Sequence, residues 1–376
     1  MGRRGCEGEY EAPNSLGSTS SFFSASASTV DCRPASTIAQ QVVNAAKNRF
    51  PEGPLPLDAH LLRLETFLPP SGESYINASF ADLYSRRNGA IIAQAPMPET
   101  CREFWTMIWE RDAGVVVSLN AVDENDGGSS SSINNAPRYW PETKGAVLDF
   151  PPIRVEKIKT ERFDWSMTTK TTLHELRIKK EEESKSVKLF DFSGWKTEDE
   201  IPESAESFLA LMVQHALVQV RPGASDSATV GATCKSGCNT ANDTTEAGCK
   251  MITLTEFRCN TVKGTECMGN NTTGVLYGHA LIYYFLVIIF FFSQTQTGDK
   301  PFVVHCLDGI SASGFYIAAF NLLEKLKSEK VVDVVWSVLT ARLTHPRIVF
   351  CEDQIRFLVE VAKGFMGKLE SYCNFN

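Results

Sequence analysis

Apolar residues change their spacing repeatedly along the chain, and each change marks an element. Ile38 to Arg49 carries the spacing of a short helix, and Pro51, Gly53, Pro54 and Pro56 force a loop after it. Ala90 to Ala93 and Gly114 to Leu119 are continuous apolar runs of strand length. Between them, Phe104, Trp105, Ile108 and Trp109 recur at helical spacing within Cys101 to Arg111. Residues 124–136 read as a polar Gly/Ser/Asn loop. Val147 to Ile158 and Thr171 to Ile178 alternate as antiparallel strands do, Lys179 to Lys185 is a charged turn, and Val187 to Phe192 is the next strand. Ser204 to Val218 has an amphipathic helical pattern. Phe302-Val303-Val304 is a compact buried strand, and Ser313 to Ser328 and Glu352 to Lys363 are helices. Interspersed strands and helices predict an α/β (α+β) domain.

Two stretches break the pattern. Residues 1–36 are Ser-rich without apolar periodicity and read as a disordered lead-in. No apolar core follows Arg3 and Arg4, so no secretory signal is visible. Met1-Gly2 with Cys6 has the look of an acylation site, but position 6 is not Ser or Thr, and an unmodified terminus is preferred. Residues 220–294 are rich in Thr, Gly, Asn and Cys and end in the apolar run Val275 to Phe292. As a membrane span, 275–292 is barely long enough and contains Gly278 and His279. As a metal or disulfide module, its cysteines are odd in number and irregular in spacing. The favoured reading is translated intron. Val220-Arg221 can be encoded by GTA-AGA, the run before Ser293-Gln294 needs T-rich codons, and that pair can end in CAG. Removal leaves 37–219 and 295–370 as one domain, with 371–376 as a tail.

Composition narrows the class. Of 376 residues, 43% are hydrophobic and 22% charged, which is ordinary globular usage. The net charge of −8 argues against nucleic-acid binding by bulk charge. Cys234, Cys238, Cys249, Cys259 and Cys267 cluster in the insertion, while the rest of the 11 cysteines are scattered, which suits a reducing compartment. His174 and His345 have no partner at metal-ligand spacing. Trp105, Trp109 and Trp140 read as core, and Glu181 to Glu183 as a solvated turn.

The most informative stretch is His305-Cys306-Leu307-Asp308-Gly309-Ile310-Ser311-Ala312-Ser313. A strand ends at a cysteine, a small-residue loop follows, and a helix begins. Such a turn aims backbone N–H groups at one point and makes an anion site. A cysteine there has its thiolate stabilised. The alternative is a small buried thiol with only a packing role.

Several motifs in order give a specific resemblance. Lys47-Asn48-Arg49-Phe50, Tyr75-Ile76-Asn77-Ala78-Ser79-Phe80, Gln94 to Thr100, Phe104 to Glu110 and Arg138-Tyr139-Trp140-Pro141 all resemble motifs of protein tyrosine phosphatase domains. Together with His305 to Gly309, Val331 to Val334 and Glu352-Asp353-Gln354, the chain is most similar to the second, membrane-distal domain of receptor-type phosphatases, often weak or inactive. The resemblance implies a twisted mixed sheet flanked by helices, no cofactor and no metal.

It also implies a mechanism. A Cys attacks phosphorus, an Arg binds the phosphoryl oxygens, an Asp protonates the leaving phenol and a Gln positions water. Residue by residue, Cys306 keeps the nucleophile position. Ala312 stands for the Arg, Thr197 for the Asp and Phe350 for the Gln. Glu198 or Asp199 could substitute as acid. Asp308 adds a charge that opposes thiolate formation and repels phosphate. Phe50 keeps the aromatic wall of the phosphotyrosine pocket, and Glu52 replaces its usual Asp.

The reading is a pseudophosphatase that docks protein partners, phosphotyrosine proteins or another phosphatase domain among them. The competing reading is an active phosphatase using Cys306. A third is a receptor fragment from a faulty gene model. The resemblance implies a cytoplasmic domain of a membrane receptor, with membrane contact only if 275–292 is a real span.

Overall fold

The computed structural model describes residues 35–65, 74–119, 138–164, 170–196, 199–219 and 300–373. The loop expected at 124–136, the insertion 220–294, and residues 1–34 of the lead-in lie outside the described residues.

Among the described residues, nine strands form one mixed sheet: β1 (Leu61–Arg63), β2 (Tyr75–Ala81), β3 (Ala90–Gln94), β4 (Val115–Ser118), β5 (Val147–Phe150), β6 (Ile153–Asp164), β7 (Lys170–Lys180), β8 (Glu183–Phe192) and β9 (Phe302–Cys306). Their order is β1-β2-β3-β9-β4-β8-β7-β6-β5. The four central strands β3, β9, β4 and β8 are parallel, and antiparallel strands extend the sheet on both sides. Helices are α1 (Val42–Ala45), α2 (Cys101–Glu110), α3 (Ala205–Gln219), α4 (Ser311–Glu329), α5 (Val334–Thr344) and α6 (Glu352–Cys373).

The strand period of two explains the two cores. On β9, Phe302, Val304 and Cys306 join one apolar cluster, whose helical side comes from α3, α4, α5 and α6. Val303 faces the other way, into the cluster holding Phe104, Trp105 and Ile108 of α2. Ile92 and Ile91 divide in the same manner on β3, as Val117 and Val116 do on β4. Central strands buried on both faces read as unbroken apolar runs, which is why these three were visible in the sequence.

Several boundaries differ from expectation. Only 42–45 of the helix expected over 38–49 is helical; Asp58 instead draws in the backbone N–H groups of Thr37 and Ile38. The strand expected over 147–158 is a hairpin, turning at Pro151-Pro152 between β5 and β6. The charged turn narrows to Glu181 and Glu182, with Glu181 at φ 53. The last helix runs to Cys373, through the first half of the expected tail. Helix α5 is not among the expected elements; only its first residue, Val334, falls in a motif. Its start is fixed by Asp333, whose carboxylate accepts from the Trp336 N–H at 2.9 Å.

Candidate active site

Strand β9 lies at the middle of the parallel strands, and its C-terminal end opens onto a cleft. That is where α/β sheets place their ligands. The chain must turn at once from β9 into α4. Gly309 makes the turn possible: its φ is +78, and a Cβ there would lie 2.4 Å from the Gln94 backbone N. The loop therefore presses directly on β3.

Asp308 organises this turn. Its Oδ1 accepts the backbone N–H groups of Ile310 and Ser311, both at 2.9 Å. The Ser311 hydroxyl donates to Oδ2. These N–H groups, at the start of α4, are the donors an anion would take. A carboxylate of the chain itself already occupies them.

Cys306 is 4% exposed, with its Sγ 3.1 Å from Asp308 Oδ1 and 3.3 Å from Ser313 Oγ. Burial, then the Asp308 charge, push its thiol up to about 12. His305 offers no relief. It is buried, its Nε2 is 2.6 Å from the Tyr139 hydroxyl, and burial holds it neutral, down to about 3.

The cleft has a volume of about 770 Å³. It brings together Cys306, Leu307, Asp308, Ser311 and Ala312 with Phe50, Glu52 and Phe350. Of the residues assigned to the phosphate loop, His305 and Cys306 are the end of β9, and Ser311, Ala312 and Ser313 are the first turn of α4. His305, Gly309, Ile310 and Ser313 are buried behind the cleft and do not line it. Ala312 presents a methyl group where the resemblance places an arginine. Phe350 is 52% exposed in the wall. Thr197 and Glu198 lie outside the described residues. Asp199 and Glu200 are exposed on the cleft, and the Trp195 indole N–H donates to the Asp199 carbonyl at 3.0 Å.

Two supports escaped the sequence reading. Gln354 accepts from the Phe350 N–H at 3.0 Å and donates to the Glu200 carbonyl at 2.9 Å, tying two walls together. Asn48 sits under the phosphotyrosine-loop motif, where its Oδ1 accepts from the Tyr75 hydroxyl and the Asn77 amide, and its Nδ2 donates to the Ala39 carbonyl. Both residues lie in family-like motifs, but spacing along the chain does not reveal their partners. Among the described residues no group of three or more His, Cys, Asp or Glu is placed to hold a metal ion. Nor is any helix among them long and apolar enough to cross a membrane; the run 275–292 lies outside the described residues.

Comparison with known proteins agrees with this architecture. The sequence matches the family described as Protein-tyrosine phosphatase over residues 44–265 and 282–363. It is 26% identical over 304 residues to human (Homo sapiens) receptor-type tyrosine-protein phosphatase epsilon, covering 80% of this chain and 31% of that protein. It is 23% identical over 331 residues to receptor-type tyrosine-protein phosphatase S of Gallus gallus, covering 88% of this chain and 16% of that protein. It is 23% identical over 347 residues to tyrosine-protein phosphatase Lar of Drosophila melanogaster, covering 88% and 13%. The chain thus spans about a third or less of the length of these relatives.

Proposed function

The chain belongs to the protein-tyrosine phosphatase family, and from that premise we propose that this member is a pseudophosphatase, a docking or regulatory module in phosphotyrosine signalling. One observation carries the reading: Asp308 holds the anion-binding N–H groups and the Cys306 thiol together. A phosphate entering this loop would displace a carboxylate from its donors and meet a protonated thiol. Ala312 supplies no charge to compensate.

Magnitudes support the same reading. Loss of a general acid costs roughly 10²–10⁴-fold in rate. Loss of one donor to developing negative charge costs about 10²–10³-fold. Such groups act as a unit, so the factors do not simply multiply, but either alone leaves little turnover. Thr197 in the acid position and Phe350 in the water-positioning position belong to this proposal.

We place the domain, 37–219 with 295–370, on the cytoplasmic side as part of a receptor, partnered by phosphotyrosine proteins or another phosphatase domain. Cys101, Cys306 and Cys351 are free thiols, which favours a reducing compartment. The similarity to receptor-type phosphatases favours it as well. The reading of 220–294 as translated intron stays with this proposal, and transcripts that always include the segment would overturn it.

The test is hydrolysis of a phosphotyrosine peptide by the full chain beside its Cys306→Ser variant. Equal rates from two folded proteins are expected. Turnover above the variant would make the domain an active phosphatase.

A further inference from the structure

The cleft over Cys306 has the wrong charge for the ligand its architecture was built around. Its lining carries four carboxylates, Glu52, Asp199, Glu200 and Asp308, against two cations, Arg49 and Lys196. Arg49 is already committed, its guanidinium donating to the carbonyls of Ala95 at 3.2 Å and Pro96 at 3.3 Å, and Asp308 is committed to the Ile310 and Ser311 N–H groups, which leaves three carboxylates facing Lys196. Three of the carboxylates, Glu52, Asp199 and Glu200, are exposed, and Asp308 is partly exposed at the floor. Phe50 and Phe350 stand in its wall, Phe350 half-exposed, with Trp195 buried behind them. Carboxylates around aromatic faces are the recipe for holding a cation, because the ring face and the acid groups attract the same charge.

We propose that this cleft receives a cationic side chain, an arginine, from a partner protein. The inference rests on the reading of the domain as a docking module and names what it docks. Arginine fits better than lysine on three counts. Its planar group stacks on Phe or Trp faces, it is weakly hydrated, and its fork of donors matches a carboxylate. The volume of about 770 Å³ takes one long side chain and its neighbours. The methyl group of Ala312 leaves the floor free of the cation that would otherwise repel such a guest. A phosphate dianion entering the same space meets net repulsion.

The test uses fluorescent pentapeptides Gly-Ser-X-Ser-Gly, with X as arginine, phosphotyrosine or alanine, titrated into the full chain at low and high salt. The arginine peptide should bind about tenfold or more tightly than the other two, and its advantage should shrink as salt rises. The double variant Glu52→Gln with Asp199→Asn should remove most of that advantage while leaving the urea midpoint of this exposed pair's host unchanged. Equal or tighter binding of the phosphotyrosine peptide would overturn the proposal, as would no preference for arginine over alanine. The hydrolysis comparison with Cys306→Ser separates the two levels. Turnover there would defeat the docking reading itself. A silent chain that prefers phosphotyrosine would keep that reading and lose only the arginine.

Discussion

The polar network beneath the cleft and the reactive loop facing it are neighbours, yet they obey different constraints. Beneath, Asn48, Tyr75, Asn77 and Gln94 are buried, and their side chains satisfy one another or the backbone. Gln94 accepts from the Arg49 N–H and donates to the Lys47 carbonyl, so the motif loop hangs from β3. Removing any of them would leave a buried donor or acceptor without a partner. At the cleft, Ala312 and Phe350 face solvent-filled space, and their identity costs the fold little. On the proposed reading, the scaffold of a catalytic site stands intact while the groups of its chemistry are replaced. A motif match in the polar network reports the fold, and the residues of the cleft and its loop report the reaction.

Acid should break the comparison most strongly, because the imidazoles lie on the scaffold side. Burial lowers His174, His215 and His305 to about 3 each, and His345 to about 4. An unfolded imidazole takes up a proton near pH 6.5, whereas the folded one does not. Stability is thus fully present above pH 6.5 and is lost as pH falls toward 3 to 4. Each of these groups contributes about 1.4 kcal/mol per pH unit across that window. Urea midpoints at pH 7 and pH 4.5 would check it; equal midpoints would contradict the buried neutral state.

Next comes the turn itself. Gly309→Ala combines a left-handed φ with a backbone clash at Gln94, and should cost about 3–5 kcal/mol of unfolding free energy in urea. Asn48→Ala strips the partner of two buried donors, from Tyr75 and Asn77, and should cost about 2–3 kcal/mol by the same measurement. On the cleft side the effects should be small. Phe350→Gln and Ala312→Arg should each stay within about 0.5 kcal/mol of the parent stability. A cost as large as that of Asn48→Ala would erase the distinction between the two regions. Ala312→Arg alone should also gain little phosphate affinity, because the Asp308 carboxylate still occupies the Ile310 and Ser311 N–H groups and its charge still opposes the anion. Adding Asp308→Ala should release the gain, read as inorganic phosphate binding.

How much of this could be seen in the sequence follows from what each residue touches. Strands β3, β4 and β9 were legible because burial on both faces demands unbroken apolar runs. Strand β1 was not, being a three-residue edge strand. Helix α5 was obscured because Val335, Leu339 and Leu343 are exposed, so its apolar spacing does not trace its buried face. The β5–β6 hairpin was hidden because its edge strand is largely exposed and carries no alternating burial. Cys306, Asp308 and Ala312 were placed on one loop by motif order alone. That Asp308 grips two N–H groups and the thiol depends on the turn Gly309 permits, and no spacing in the sequence encodes it. The Gln354 clamp joins residues far apart in the chain, Glu200 and Phe350, and was invisible for the same reason.

The state of Cys306 is the most direct test of all this. Its alkylation by iodoacetamide, followed by mass spectrometry of the Cys306 peptide, would be measured across pH 5 to 10. With the thiol pushed up to about 12, the rate should rise steadily to the end of that range without a plateau. Asp308→Asn should shift the curve to lower pH. A plateau already reached below pH 7 in the unaltered chain would show a stabilised thiolate, and with it a nucleophile ready for phosphate.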